Sequence, residues 1–510
     1  MAGGDAPVRH RWLAMLVIAI ALLTVALDVT VLHVALPTLA VELGASTSQL
    51  QWFANSYTLV LAAGLLPAGF FGDQLGQKRL FLGALVAFGL ASIGCAYAGS
   101  AQALILARVG LGVGAAFMIP LSISLLTVLF SPQERGRAVA LWTTTTVVGI
   151  PLGPVLGGWL LDHFWWGSVF LINVPLILLA VLTLPWLLPA TPGLGDPRVD
   201  VNGIVLSSAG LVALVYGLIR AGERGWEPWS VWLVAAGVAV LAAFVAWLRR
   251  ARRPLFDLRL FQSAGFACGS ALATVASFAM IGAIFVLPQY FQAVWGSDAL
   301  GTGLRVLPII AGLLVGVQVG ERLRRRGASA KVVVAVGFGL MTAGLLVGAT
   351  TGVGAGYGFV AAWLCVVGLG LGFALPTSMD VALGSMAAGR SGVGSALVLA
   401  LRQVGGALGV AVLGAALNAG YRATVDVDGL PAADAEAVRD SAAAGVRLAR
   451  ATGSAELLES VRGAFVDGLG IMLVVCAAFT ALAVLLTLAF LPAQPEDVDR
   501  RASEPEFATE

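Results

Sequence analysis

The segment AGFFGDQLGQKRL, residues 68–80, links two long apolar runs through a short polar turn. Its glycines permit a tight turn and a close approach of the flanking segments. Its acid suits the positive end of a helix or a basic neighbour, and its two adjacent bases suit one face of a membrane. An ordinary basic turn needs only the bases, so the combination favours a gating role. The residues concerned are Gly69, Gly72, Asp73, Gly76, Lys78 and Arg79.

The rest of the chain has the composition of a membrane protein. Of its 510 residues, 59% are hydrophobic and 11% are charged, and its mean hydropathy is +0.93. A soluble domain carries about 25% charged residues, so this chain lacks the polar surface to coat a soluble body. The net charge of +2 provides no basic field for nucleic acid, and the four cysteines fall in separate apolar runs. We therefore expect a polytopic membrane protein with no nucleic-acid partner, no metal and no cofactor.

Fourteen segments are long and apolar enough to cross a bilayer, which takes about 20 helical residues. Lys and Arg collect in every second connecting loop, as is typical of the cytoplasmic side. This alternation supports the count of fourteen and predicts that both termini are cytoplasmic. The segments are 12–37, 50–71, 80–99, 102–129, 137–160, 165–189, 201–220, 229–248, 264–293, 302–320, 332–350, 356–379, 392–418 and 464–491. The basic positions are Lys78, Arg79, Arg135, Arg137, Arg198, the groups within 249–259 and 322–331, and Arg390.

The apolar run ALDVTVLHVALP, residues 26–37, contains Asp28, and a carboxylate at bilayer depth costs a few kcal/mol. Acids inside transmembrane segments mark ion or substrate pathways, so we interpret Asp28 as a proton-binding group that also attracts substrate. The alternative is a structural acid satisfied by hydroxyls such as Thr24 or Thr30. His33, on the same segment, either shares the proton relay or hydrogen-bonds a neighbouring helix.

Two further charges lie within or at the edge of apolar segments. Arg108, in LILARVGLGVGAA (104–116), stays charged under accessible conditions and needs a carboxylate, carbonyl groups or water. It is either partly buried or reaches the outer interface. Asp380, at the inner end of the twelfth segment, is interpreted as an interfacial charge, with a second membrane acid as the alternative.

The fifth segment contains GIPLGPVLGGWL, residues 149–160. Three of its glycines recur every four residues on one helix face, which lets another backbone approach closely. Its internal proline removes a helical hydrogen bond and bends the helix. We interpret the stripe as a flexible contact between the two halves of the molecule, with static packing as the alternative. The motif residues are Gly149, Gly153, Pro154, Gly157 and Gly158.

Taken together, these motifs resemble those of the major facilitator superfamily. The pattern GxxxDxxGxKR at 69–79 resembles its cytoplasmic-loop motif. Arg108 with Gly112 and Gly114 resembles its fourth-helix arginine motif, and residues 149–160 resemble its antiporter motif. These similarities identify the chain as a member of that superfamily.

Other stretches resemble the fourteen-span drug–proton antiporter branch of the superfamily. Residues 26–37 resemble the first-helix motif of that branch, and the resemblance covers nearly the whole chain after about residue 12. The other stretches are WWGSVFLINVP (165–175), FVLPQYFQ (285–292) and SALVLALRQVGGALGVAV (395–412). The chain departs from the usual pattern at three positions. It has His33 where Asn is usual, Trp166 where Arg is usual, and Arg324 where an acid is usual.

The resemblance implies an all-α polytopic membrane protein with the major facilitator fold. Its 14 transmembrane helices would form two six-helix bundles plus two extra central helices, and the bundles would rock around a midplane cavity. The resemblance also favours a buried role for Arg108 and a role for the glycine stripe in sealing the outer side. The expected parts are a cytoplasmic N-terminus (1–11), the first bundle (12–189), two added helices with a basic linker (190–263), the second bundle (264–491, with a long extracytoplasmic loop at 419–463) and a cytoplasmic tail (492–510).

Polar and aromatic residues within the apolar segments are candidates for the cavity wall. An aromatic wall suits cations and flat apolar compounds, although each of these residues can equally face lipid or the protein core. They are Trp52, Phe53, Asn55, Tyr57, Gln289, Tyr290, Phe291, Gln292, Arg402 and Gln403.

The sequence contains no GxxxxGK[ST] nucleotide-binding motif, so an ion or proton gradient would drive transport, or transport would be passive. We expect a proton-driven exporter, not an enzyme, that moves amphipathic, lipophilic and especially cationic compounds by alternating access. Its partners would be a small-molecule substrate, protons and the lipid bilayer, and it would act as a monomer in a bacterial plasma membrane. Two alternatives stay open: a transporter of one metabolite, antibiotic or siderophore, and a non-transporting membrane sensor or assembly partner.

Overall fold

The computed structural model describes residues 10–491 apart from 46, 194–199, 252–254, 256–257, 298 and 386–390. These residues form α-helices and one short 3-10 helix, and they contain no strand. Helices are expected, because a backbone that crosses lipid must satisfy its hydrogen bonds within the segment. The predicted tail 492–510, most of the predicted N-terminus 1–11, and the basic residues Arg198 and Arg390 lie outside the described residues.

Seventeen α-helices, separated mostly by short turns, account for the described fold. The sixth predicted segment is divided into two of them by a break at Ile172. The helices are α1 (Arg11–Glu42), α2 (Thr47–Leu75), α3 (Gln77–Ala96), α4 (Ala101–Leu129), α5 (Pro132–His163), α6 (Ser168–Leu171), α7 (Asn173–Leu187), α8 (Val201–Arg224), α9 (Pro228–Arg250), α10 (Ala264–Ala293), α11 (Ala299–Arg325), α12 (Ala330–Gly348), α13 (Tyr357–Gly384), α14 (Ser391–Thr424), α15 (Ala432–Asp440), α16 (Ala442–Thr452) and α17 (Ala455–Phe490).

Thirteen helices within the described residues are long and apolar enough to cross a membrane, with α6 and α7 together forming one of them. The 32-residue helix α5 occupies the place of the remaining predicted segment, 137–160. The all-α polytopic fold is thus confirmed, and the count of fourteen crossings stays a prediction. Helix α17 begins at Ala455, before the predicted start at 464, because hydropathy marks the lipid-embedded part of a helix and not its polar first turns.

Helices α1–α7 pack on one another as the first bundle. α4 lies against α2 and α3, while α1 lies against α5 and α7. Small residues allow the close approach: Gly64 of α2 faces Ala116 of α4, and Gly114 of α4 faces Phe88 of α3. This arrangement brings α1, α2 and α4 together, and those three helices carry most of the intramembrane polar residues of the first half.

Helices α10–α14 and α17 form the second bundle. Here α13 packs closely on both α11 and α12, and α10 packs on α14. In the α11–α13 contact, two glycines on each helix face backbone carbonyl groups of the other helix, which is the small-residue packing that membrane helices favour. The facing pairs are Gly312 with Cys365, Gly316 with Leu369, Gly368 with Ile309, and Gly372 with Leu313.

Helices α8 and α9 form a hairpin at the side of the two bundles. α8 packs on α2 of the first bundle and on α14 of the second, and the Ser208 hydroxyl donates to the Ala63 carbonyl at 2.7 Å. The Asp200 carboxylate accepts hydrogen bonds from Trp247 Nε1 and from the Leu255 backbone, both at 3.0 Å. The added helices therefore cover the seam between the bundles on one side.

The long loop 419–463 contains α15 and α16, which we call the cap. α16 packs on α17 and also touches α10. The Tyr421 hydroxyl at the end of α14 donates to the Val438 carbonyl at 2.8 Å. The cap is thus attached to the second bundle.

The α11–α13 contact can be tested with Gly368→Ala, which places a methyl group against the Ile309 carbonyl and forces the two backbones apart. We expect a loss of about 1–3 kcal/mol of stability, measured as a lower melting temperature of the purified protein. Gly339→Ala on α12 is the matched control, because nothing lies within 4 Å of its added methyl group. It should melt at or above the wild-type temperature, since Ala is the better helix former. Equal melting of the two variants would contradict this packing.

Candidate functional site

A buried ion pair joins two of the predicted site residues. Arg108 Nη1 of α4 donates to Asp28 Oδ2 of α1 at 2.5 Å, and the side chains are 1% and 0% exposed. The side chain of Arg108 therefore lies inside the first bundle and does not reach an interface. The pair links the first and fourth helices across the interior.

The guanidinium of Arg108 has two further contacts, both on α2. Its Nε donates to the Phe53 carbonyl at 2.8 Å, and its central carbon lies 4.8 Å from the centre of the Tyr57 ring. The Tyr57 hydroxyl and Asp28 Oδ1 are both buried, and neither has a hydrogen-bond partner among the described residues. One carboxylate oxygen of the pair is therefore open to a new partner.

The hydroxyls proposed as alternative partners of Asp28 are engaged elsewhere. Thr24 donates to the Ala21 carbonyl at 2.6 Å, and Thr30 donates to the Ala26 carbonyl at 3.0 Å. The interpretation of Asp28 as a structural acid held by these two hydroxyls is therefore wrong. Its described partner is a cation.

The energetics of such a pair make it sensitive to protonation. Removing one member of a buried pair costs about 3–5 kcal/mol, because the other charge stays buried without a counter-charge. A guanidinium does not lose its proton under accessible conditions. Protonation of Asp28 would therefore force Arg108 to find another acceptor or to move.

The glycine stripe of α5 packs against α1 on both sides of Asp28. Gly149 faces Ala26, Gly153 faces the Thr30 side chain, and Gly157 faces Val31. In this structure the stripe thus contacts α1 of its own bundle. A flexible contact with the other half of the molecule, sealing the outer side in another state, stays a prediction. Glycine is required because two helix backbones meet closely there.

The remaining members of the motif differ from the stripe. Gly158 faces open space, with nothing within 4 Å of an added Cβ. Pro154 lies in α5, and its side chain is outside the described part of the structure, as is that of His33 in α1. The tight contact to α1 consequently rests on three glycines of the five predicted motif residues.

A cavity of about 480 Å³ lies between the two bundles. Its walls come from α1, α2, α4 and α5 on one side and from α10 and α14 on the other, and α8 adds Val215 and Ile219. Most of the lining is apolar. The predicted cavity residues that line it are Asn55, Tyr57, Arg402 and Gln403, and Arg108 lines it as well.

Six other predicted cavity residues lie away from this lining: Trp52, Phe53, Gln289, Tyr290, Phe291 and Gln292. Trp52 stacks on Tyr216 of α8, with ring centres 6.2 Å apart. The Tyr290 hydroxyl accepts a hydrogen bond from Trp295 Nε1 at 3.1 Å within an aromatic cluster. Gln289 lines a second cavity of about 530 Å³ beneath α16. Since helix rotation decides which face a residue occupies, the linear sequence could not separate these residues from the lining.

Arg402 of α14 occupies the cavity wall contributed by the second bundle. Its Nε donates to the Ser277 hydroxyl at 2.9 Å, and its Nη1 lies 3.2 Å from the Met379 sulfur. Its guanidinium also lies 5.9 Å from the centre of the Trp142 ring on α5. Sequence reasoning missed Ser277 and Trp142, which carry no motif and become neighbours through packing alone.

The predicted gating residues lie where the bundles meet. Asp73, at the end of α2, accepts hydrogen bonds from the backbone amides of Gly392 and Val393 at 2.9 and 3.0 Å. These amides belong to the first turn of α14, where a helix favours negative charge. Gly69 of α2 packs directly on Gly392 and Ala396, so this contact joins the first bundle to the second.

The two bases of the same motif serve different purposes. Lys78 Nζ donates to the carbonyls of Pro185 and Leu188 at 2.8 and 2.6 Å, at the end of α7, whereas Arg79 is exposed. Gly76 has a backbone φ of 98°, a value that favours glycine. We call the end of the molecule that carries Lys78, Arg79 and Arg322 the basic end.

A second inter-bundle contact lies at the basic end. Asp380 of α13 pairs with Arg324 of α11 at 3.2 Å, and Gly136 of α5 lies against Asp380 and Glu321. Asp380 is thus part of a contact between helices and does not line the central cavity. The arginine that replaces the expected acid at position 324 forms half of this ion pair.

The arrangement of a central cavity between two helical bundles, closed by the GxxxDxxGxKR turn, agrees with a match to the family model of the Major Facilitator Superfamily over residues 18–410. The chain belongs to the major facilitator superfamily. Members of this superfamily are membrane transporters, so the protein is a multi-pass transporter of small molecules and not an enzyme.

Individual relatives agree with this assignment. The chain is 32% identical to the tetracenomycin C resistance and export protein of Streptomyces glaucescens, over 97% of this chain and 93% of the relative. It is 34% identical to the multidrug efflux pump LfrA of Mycolicibacterium smegmatis, over 94% and 96%. Among solved structures, the human organic anion transporter MFSD10 (TETRAN) matches with a TM-score of 0.63 at 16% identity, over 94% of this chain and 99% of that one. This structural likeness concerns the fold alone.

The contact at the basic end predicts the effect of Asp73→Asn. This change keeps the side chain's size but removes the negative charge that accepts the hydrogen bonds of the α14 amides. The bundles should therefore separate more often at that end. Electron-spin distance measurements between labels at positions 79 and 322, which are exposed on α3 and α11, should show more of the longer distances. Asp162→Asn, an exposed acid at the end of α5, is the control and should leave the distances unchanged. An unchanged distribution in Asp73→Asn would mean that this contact does not hold the bundles together.

Proposed function

We propose that the protein exports amphipathic, lipophilic small molecules in exchange for protons, with Asp28 as the group that carries the proton. The observation that supports this most is the buried Asp28–Arg108 pair, because its cation lines the central cavity. A proton on Asp28 therefore changes the wall that a substrate would touch. Intramembrane acids with a named partner mark proton pathways in transporters.

The exchange would proceed through two states of this pair. With Asp28 ionised, Arg108 is held by the carboxylate and by the Phe53 carbonyl. A proton that forms an O–H bond at the open Oδ1 removes the counter-charge, and Arg108 with its neighbour Tyr57 then shifts in the cavity wall. Substrate leaves in that state. Release of the proton on the other side restores the pair and resets the site.

The sidedness of this cycle follows from the charges of the loops. The basic end would face the cytoplasm of a bacterial cell, because positive loops stay on that side of the plasma membrane. The contact of Asp73 with α14 and that of Gly136 with Asp380 join the two bundles at the same end and would close the cavity there. In this proposal the structure represents the state that receives protons and releases substrate outside, with both termini inside.

The substrate range is supported by the cavity and by the names of the relatives. A lining that is mostly apolar, with a few polar groups, suits drug-sized amphipathic molecules. One relative is named a multidrug efflux pump and another a resistance and export protein. The cationic compounds expected from the sequence belong to the proposal as well, but a cation would gain access to Asp28 only when Arg108 moves away.

Export of a single compound is the second candidate. It is favoured by the relative named for tetracenomycin C, over nearly the full length of both chains. The fold and the proton step would be the same, and the cavity would accept one structure. A panel of amphipathic compounds separates the candidates, since a broad exporter lowers the accumulation of many compounds and a specific one lowers that of few.

Asp28→Asn tests the proton step. Cells that express the wild type should accumulate less of a lipophilic fluorescent dye than cells with an empty vector, and cells with the variant should match the empty vector at equal membrane levels. The physical reason is that Asn cannot gain and lose a proton. In sealed vesicles, dye movement should follow the imposed pH gradient for the wild type only.

Asp162→Asn serves as the control in the same cells, since this acid is exposed at the end of α5 and should leave export intact. Full gradient-driven export by Asp28→Asn would contradict the proposed role of this carboxylate. Export that ignores the gradient in the wild type would contradict proton exchange altogether.

The glycine stripe supplies an independent test. Gly153→Ala would put a methyl group onto the Thr30 side chain two residues from Asp28, so α1 must shift relative to α5. We expect export to fall several-fold, because misplacing reactive groups by about 1 Å is costly. Gly158→Ala, in the same motif and facing open space, should export like the wild type. Equal export by both variants would show that the α1–α5 spacing does not matter for transport.

A further inference from the structure

The charges that line the central cavity are unbalanced. Within the described residues its lining contains two arginines and no Asp or Glu. Asp28 neutralises the charge of Arg108 in an ion pair. Arg402 has no ion pair with any described carboxylate, and its described hydrogen bonds go to a hydroxyl and a thioether.

A guanidinium in this position lacks adequate partners. It stays charged even when buried, and burying a charge without a counter-charge is costly. A thioether sulfur is a weak acceptor, and the described hydrogen bonds of Arg402 leave out its Nη2. The Ser277 and Met379 contacts use Nε and Nη1, so the N–H groups of Nη2 can serve a ligand.

The position of Arg402 can be estimated from a contact between helices. The Ser395 hydroxyl of α14 donates to the Pro120 carbonyl of α4 at 3.1 Å, so these two residues lie at the same depth. In the direction away from the basic end, Arg402 lies seven residues from this contact along α14, and Arg108 lies twelve residues from it along α4. At the rise of an α-helix, these separations correspond to about 10 and about 18 Å. Arg402 is therefore closer to the basic end than Arg108 is.

An aromatic ring lies beside Arg402, and most of the cavity wall is apolar. Trp142 lies 5.9 Å from the guanidinium, which stabilises the cation but brings no negative charge. The side walls include Val25, Val29, Met280 and Leu399. A molecule that fits this cavity has an apolar body and an acidic group at one end.

We infer that Arg402 forms an anion-binding subsite in the cavity wall of the second bundle, which takes the carboxylate or phenolate group of an amphipathic, aromatic acid. The cavity's 480 Å³ is within the usual range for drug-sized ligands, about 300–1,000 Å³. The ligand's acidic group binds the free N–H groups of Arg402, and its body fills the apolar space towards Tyr57. As a statement about transport this rests on the proposed function, whereas binding itself needs no proton gradient.

The test uses two probes that differ by one charge: a xanthene dye with a free carboxylate and the methyl ester of the same dye. Both are titrated by fluorescence anisotropy against the full-length protein in nanodiscs of zwitterionic lipid at neutral pH. The wild type should bind the acid at least about tenfold more tightly than the ester, as expected for hydrogen bonds to a charged group. The zwitterionic lipid ensures that no lipid anion competes for the site.

Variants assign the preference to Arg402. Arg402→Gln should bind the acid and the ester with similar affinity, and Arg402→Lys should keep part of the preference because it keeps the charge. Arg322→Gln, an exposed arginine at the basic end, should behave like the wild type with both dyes. A wild type that does not prefer the acid overturns the inference. So does an Arg402→Gln variant that weakens both dyes equally, since that marks a structural role.

Transport of the two dyes separates this inference from the proposed function. If the acid is preferred in binding but neither dye is exported from vesicles along a pH gradient, the subsite stands and the proposed function fails. If both dyes are exported equally and neither is preferred in binding, the proposed function stands and the subsite fails.

Discussion

The buried pair of Asp28 and Arg108 is the constraint on which the rest of the first bundle depends. A guanidinium that cannot lose its charge must be matched inside a low-dielectric interior, and only α1 provides a carboxylate to it in the described contacts. This pairing fixes α4 against α1, while the Phe53 carbonyl and the Tyr57 ring fix both against α2. The glycines of α5 then bring its backbone onto α1 beside the same acid. Any change in the charge of Asp28 is thus felt by four helices.

Some of the contacts between the bundles are polar. At the basic end, Asp73 accepts amide hydrogen bonds from α14, and Gly136 of α5 lies against Asp380 of the second bundle. Water can replace such polar contacts when the ends separate, whereas closely packed glycines cannot part without loss of packing. The proposed alternating access would use contacts of this kind as its seal. The α8–α9 hairpin, which touches both bundles, covers the seam on one side.

The fold and the ion pair differ in how far the sequence could predict them. Long apolar segments and alternating basic loops are local properties, so helix positions emerge from them within a few residues, and the helix division at Ile172 does not alter the path. The motif at 69–79 predicted a helix end or a basic residue as the partner of Asp73, and the structure places it at the first turn of α14. The glycine stripe predicted a close helix contact without identifying α1 as the neighbour seen here, because a small-residue face shows that a helix comes close without showing which helix. Cavity residues such as Trp52, Gln289 and Tyr290 lie elsewhere for a related reason: a fully apolar helix has no distinct outward face.

By itself, the sequence determined that this chain is a membrane protein of many helices, that it belongs to a transporter superfamily, and that Asp28 and Arg108 are its exceptional charges. These follow from composition, hydropathy and motifs, all of which are properties of the linear sequence. Only the tertiary structure decided that the two charges meet, that α5 packs on α1, and that Arg402 reaches the cavity without a described counter-charge. The physical reason is that these outcomes depend on rotation of each helix about its axis and on contacts between residues far apart in the chain, and neither is set by local pattern.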